Sequence, residues 1–142
     1  MNSSVQVASP PARPLLLYDG DCDFCSLWIH RWRQTAGDRL DYLPFQHPSV
    51  AARFPEVPRA RCAAAVQLVE TDGRVYGGAE AVFRAFAHKP RRGRLLHWYQ
   101  RSPAFARASE WAYRLVARHR RFGAVLTRLA IHPRRPFDKT AR

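Results

Sequence analysis

The feature that most constrains this chain is LLLYDGDCDFCSLWI, residues 15 to 29. A short apolar run, Leu15 to Tyr18, ends at Asp19-Gly20, which suits a buried strand closed by a turn. From Cys22 the period changes. Phe24, Cys25, Trp28, Ile29 and Trp32 fall on one face of a helix. Asp21 is the expected N-cap, offering a carboxylate to the free amides of the first turn. The helix is expected to stop near Ala36-Gly37, with glycine in the left-handed position that closes a helix.

The rest of the chain reads as alternating short elements. RLDYLPF, residues 39 to 45, predicts a second strand that ends early or lies at an edge, because proline cannot donate to a ladder. Residues 46 to 61 are punctuated by proline, with a short helix around Ser49 to Phe54 and then a loop. AAAVQLVE, residues 63 to 70, and RVY, residues 74 to 76, flank Thr71-Asp72-Gly73, a strong hairpin signal. Gly77-Gly78 opens a helix through AEAVFRAFAHK, stopped by Pro90. Leu95 to Tyr99 and Pro103 to His119 are further helices. In the second of these, Phe105, Ala108, Trp111, Ala112, Leu115 and Val116 form an apolar stripe read as core-facing, away from Arg107, Arg114 and Arg118. A last helix is expected over Phe122 to Ile131. Residues 1 to 13 read as a flexible leader, 14 to 132 as one domain with its helical extension from about residue 91, and 133 to 142 as a basic tail.

Composition narrows the function classes. At 142 residues the chain can bury one ordinary core. Its net charge of +13 is almost entirely arginine. Such charge suits either a solvated face or a nucleic-acid or anionic-membrane partner. No nucleic-acid motif is present and the apolar stripe has core spacing, which disfavours both partners. No run approaches the roughly 18 apolar residues of a membrane span, and the N-terminus lacks the basic and apolar segments of a secretory signal. Three cysteines are too few, and odd in number, for a secreted disulfide framework. The expected location is the cytoplasm, where a close cysteine pair points to chemistry rather than stapling.

A strand that hands Cys-x-x-Cys to the first turn of a helix has a chemical rationale. The thiolate is the reactive form, and a free thiol of pKa about 8.5 is only about 3% ionised at pH 7. Unpaired amides and the helix dipole favour an anion at that terminus. The two-residue spacer lets a second thiol reach the first, so that a mixed disulfide is resolved within one protein.

YDGDCDFC followed by SLWIHRW resembles the DCC family of thiol-disulfide oxidoreductases, a thioredoxin-like group. TDGRVYGGAEAVFRAF and AYRLVARHRRF resemble that family's hairpin with its following helix and its arginine-rich C-terminal helix. The resemblance implies an α/β fold, a thioredoxin-like mixed sheet of about four strands with flanking helices and a helical C-terminal extension. It implies protein-disulfide reductase activity or related dithiol exchange, with Cys22 attacking and Cys25 resolving. Protein or small-molecule disulfides are the expected substrates, and a separate reductant would recycle the pair. One departure stands out. Thioredoxin-like proteins usually carry a cis-proline before the third strand. Here that position falls near Arg61-Cys62-Ala63, with Pro58 the nearest proline.

The remaining candidates are weighed against plainer roles. Asp19 is a possible proton acceptor from Cys25, or a turn aspartate bonding local amides. Asp21 and Asp23 favour the helix start, yet a carboxylate beside a thiol disfavours its thiolate. Cys62 is read first as a buried structural thiol. A zinc site built from Cys22, Cys25, Cys62 and one histidine lacks the second close pair usual in such sites. His30, His47, His88, His97, His119 and His132 show no ligand spacing. No glycine-rich nucleotide loop accompanies the tryptophans, which read as core. Neither metal nor organic cofactor is expected.

Overall fold

The computed structural model describes residues 5 to 89 and 93 to 119. In chain order the elements are β1 (Val5–Gln6), β2 (Leu15–Tyr18), α1 (Asp23–Ala36), a 3-10 turn (Gly37–Arg39), β3 (Asp41–Pro44), α2 (Pro48–Arg53), α3 (Arg59–Ala64), β4 (Gln67–Val69), β5 (Arg74–Gly77), α4 (Gly78–Ala87), α5 (Arg94–Arg101) and α6 (Pro103–Arg118). The strands form one mixed sheet ordered β1-β5-β4-β2-β3. β2 and β3 are parallel, with Leu15 opposite Asp41 and Tyr18 opposite Pro44. β4 runs antiparallel to both β2 and β5. A parallel βαβ unit followed by a hairpin and a helix is the thioredoxin-like arrangement that the sequence implied.

β2 is an interior strand, between β4 and β3, and is apolar on both faces. Leu15 and Leu17 enter one cluster with Val50 of α2, Phe54, Val57 and Cys62 of α3. Leu16 enters the other with Ile29 of α1, Tyr42, Leu68, and Ala81 and Ala85 of α4. Helices therefore cover both faces, and each fully buried leucine contributes about 1.5–3 kcal/mol. The one buried amide on β4, Gln67, is satisfied: Arg61 Nε donates to it at 2.8 Å, and its own amide donates to the carbonyl of Ala65 at 2.9 Å. The Asp72-Gly73 turn joins β4 to β5 as expected, with Gly73 at a φ of 84° that favours glycine.

Several expectations need correction. The leader of residues 1 to 13 is not all loose. Val5–Gln6 pairs with β5, making five strands rather than about four, and Val7 is buried. Two residues are too short a strand to show a period. Residues 63 and 64 do not begin the third strand; they end α3, as befits alanines. No peptide bond among the described residues is cis. At the far end of α1 the chain runs on into a 3-10 turn in place of a left-handed glycine. β3 ends at Pro44 on the sheet edge, as its proline suggested. That edge is blunted, because Arg33 donates to the carbonyl of Tyr42 and the N–H of His47 to that of Pro44.

The extension docks on α4. Phe83 stacks on Phe105 and meets Tyr99 edge-on. The Tyr113 hydroxyl accepts the N–H of Val66 at 3.0 Å. The Glu110 carboxylate accepts the N–H of Glu80 at 3.2 Å and the Tyr99 hydroxyl at 2.9 Å. A Cβ at Gly78 would come within 2.7 Å of a Glu110 oxygen, the movable end of that side chain, so it is the φ of 64° that calls for glycine there. The rest of the stripe is not core among the described residues: Trp111 is 66% and Val116 52% exposed. The helix expected over 122 to 131 and the basic tail lie outside the described residues. No described helix is long and apolar enough to cross a membrane.

Candidate functional site

The site is built where β2 ends. The chain leaves Tyr18, turns through Asp19, Gly20 and Asp21, and enters α1. The helix ladder begins when Ser26 N–H donates to the carbonyl of Cys22 at 2.9 Å. That makes Cys22, not Asp21, the N-cap residue. Its sulfur fills the role a cap oxygen would have, accepting the N–H of Cys25 at 3.3 Å. The expected cap fails because the Asp21 carboxylate is engaged elsewhere, by the side-chain amide of Gln46 at 3.2 Å.

Cys22 and Cys25 are both half-buried thiols with no disulfide between them. Their closeness comes from the cap geometry alone. One sulfur sits over the first turn, and the other residue supplies the N–H that meets it. A donor aimed at sulfur is placed to hold a thiolate, and the positive end of the α1 dipole acts in the same sense.

Asp19 is half-buried and does the work of a turn aspartate: its Oδ1 accepts the N–H of Asp21 at 3.1 Å and the amide of Gln46 at 2.7 Å. Its backbone carbonyl also faces the Cys22 N–H at 3.4 Å. Gln46, one residue past Phe45, was not singled out in the sequence. A signal did exist. Parallel strands end side by side, so a polar residue just after β3 must neighbour the turn just after β2.

Cys62 is not part of this cluster. It lies on α3 at 2% exposure, packed with Leu15, Leu17 and Val69 on the sheet face opposite α1. Burial pushes its thiol up, against a smaller opposing pull from the Arg61 and Arg59 guanidiniums. Among the described residues, no three or more His, Cys, Asp or Glu side chains are grouped to hold a metal ion. Of the aromatics read as core, Trp32 packs edge-on against Phe86 at 5.1 Å. Trp28 is 40% exposed and meets Phe24 edge-on, leaving an apolar pair on the solvent side of the helix that starts at Cys22.

Comparison with known proteins adds one positive finding. A family model described as DCC1-like thiol-disulfide oxidoreductase matches residues 16 to 123. No curated protein and no solved structure matches the chain.

Proposed function

The chain belongs to the DCC1-like thiol-disulfide oxidoreductase family, and from that premise we propose that it reduces protein or small-molecule disulfides through Cys22 and Cys25. The Cys22 thiolate attacks one sulfur of a substrate disulfide. A mixed disulfide forms, and the departing substrate thiolate takes a proton from water. Cys25 then loses its proton, for which Asp19 is the candidate acceptor, and attacks the Cys22 sulfur. Reduced substrate leaves, and the two electrons it gained are those lost in forming the Cys22–Cys25 disulfide. A separate dithiol reductant returns them. The odd, small number of cysteines supports a thiol-reducing compartment, the cytoplasm, for this cycle.

The observation that carries the reading is the Cys25 N–H directed at the Cys22 sulfur across a helix start. Trapping tests it. Cys25→Ser should accumulate a mixed disulfide with its substrate, visible on a non-reducing gel and lost with dithiothreitol. Cys22→Ser should trap nothing. The opposite pattern would reverse the two roles, and trapping by neither would end the proposal. A reduction potential near about −270 mV would mark a reductase, and one near about −120 mV an oxidant.

A second reading has an observation of its own. On α5 and α6, Trp98 is 62% and Trp111 66% exposed, beside the exposed arginines 94, 101, 107, 114 and 118. That surface suits an anionic partner. Salt-sensitive retention on heparin that survives Cys22→Ser would separate it from the redox role.

A further inference from the structure

We propose that Gln46 is a positioning residue for Cys22, one that sets the pH range in which this thiol reacts. The inference deepens the exchange reading above and rests on it for its biological meaning, though its test does not require a substrate. It begins with the strand geometry. β2 and β3 are parallel and in register, so their ends meet at one edge of the sheet, with Tyr18 opposite Pro44. The turn after β2 and the residue after β3 are therefore forced together. The approach is close: a Cβ on Gly20 would lie 2.8 Å from the Pro44 Cβ. Glycine is required by that contact, and only backbone is left to face β3.

Gln46 uses that exposed backbone and both flanking carboxylates. Its Oε1 accepts the Gly20 N–H at 3.0 Å. Its Nε2 donates to Asp19 Oδ1 at 2.7 Å and to Asp21 Oδ2 at 3.2 Å. One neutral side chain thus ties all three residues that precede Cys22, and both N–H bonds of its amide are spent on carboxylates.

Two consequences follow for the sulfur. The turn is held in the one path that lets Cys22 cap the helix and meet the Cys25 N–H. The two negative charges nearest in sequence on the N-terminal side are held by a donor rather than left to approach the thiolate, which they would disfavour. Neither acidic nor apolar side chains can replace the amide. A carboxylate would repel both aspartates, and a hydrocarbon would release them.

The test is the pH profile of Cys22 alkylation by iodoacetamide, read by mass spectrometry in a Cys25→Ser background. Comparison is made among Gln46, Gln46→Leu and Gln46→Glu, with circular dichroism to confirm folding. Both substitutions should move the profile to higher pH by about half a unit or more, slowing labelling at pH 7 by about threefold. Gln46→Glu should move it further, because it adds a charge. A purely structural residue would lower the melting temperature without moving the profile. Should Gln46→Leu fail to fold, Gln46→Glu, of the same length and shape, carries the test. An unmoved profile in a folded Gln46→Glu protein overturns the proposal. Failure of the exchange reading looks different: turnover would persist in Cys22→Ser while the alkylation profile still responded to Gln46.

Discussion

Cys22 and Cys62 are the same residue type on opposite sides of the same interior strand, β2, and almost nothing else about them is shared. Cys22 follows β2, caps α1 with its sulfur, and is bordered by three aspartates and an amide clamp. Cys62 lies within α3 among aliphatic side chains, with its thiol pushed up by burial. The Cys25 N–H directed at a half-buried sulfur suits the nucleophile proposed for Cys22, whereas packing on all sides makes a small hydrophobe. Position on the fold, rather than the side chain, assigns the chemistry.

The sharpest way to break that contrast is to remove each sulfur in turn. Cys22→Ser should lose disulfide reductase turnover by more than about a hundredfold, since the proposed nucleophile itself is gone. It should melt within about two degrees of the native protein, because serine is a good N-cap and keeps the helix start satisfied. Cys62→Ser should do the reverse. Its turnover should stay near that of the native protein, while a hydroxyl among Leu15, Leu17 and Val69 should cost about 1–3 kcal/mol in denaturant unfolding. Equal losses of turnover in the two variants would erase the distinction.

A smaller effect probes the acid–base partner on the Cys22 side. If Asp19 takes the Cys25 proton, Asp19→Asn should slow release of the mixed disulfide by about a hundredfold, the low end for a positioned base. Attack by Cys22 should slow much less. Rapid-quench measurement of the two steps distinguishes this from a turn defect, which would slow both alike.

How much of this was legible depends on range. The cysteine turn, the hairpin at Asp72-Gly73 and the edge character of β3 are local, and residues 15 to 18, 72 to 73 and 44 announce them directly. Gln46 is not local: its role exists only once β2 and β3 lie in parallel. Val5–Gln6 is too short to show a pattern and gains its place from β5. The Trp111 stripe misled for another reason. Helical periodicity identifies an apolar face but not what covers it: of that stripe Phe105 docks while Trp111, Leu115 and Val116 stay exposed, and polar contacts from Glu110 and Tyr113 complete the docking of α6. Asp21 misled because capping preference is a residue statistic, and here a sulfur already held the cap while Gln46 held the carboxylate.

The smallest expected effect tests the Cys62 side alone. Burial raises this thiol above its unfolded value, which lies at about 8.5 to 9. The folded state holds the proton more tightly, so the stabilisation is fully present below about pH 8.5 and is lost as pH climbs through the higher folded value. Tyr42 and Tyr99 are also raised, Tyr42 by burial and Tyr99 by burial together with its bond to Glu110. Both start from 10.0, so their losses begin at higher pH. Between about pH 8.5 and 9.5 the urea midpoint of the native protein should therefore fall more steeply than that of Cys62→Ala, which has no thiol to ionise. Each midpoint should be compared with its own value at pH 7, which removes the constant cost of the cavity that alanine leaves. Parallel slopes would mean that Cys62 ionises without a folding penalty, and the two cysteine environments would then differ in packing but not in charge.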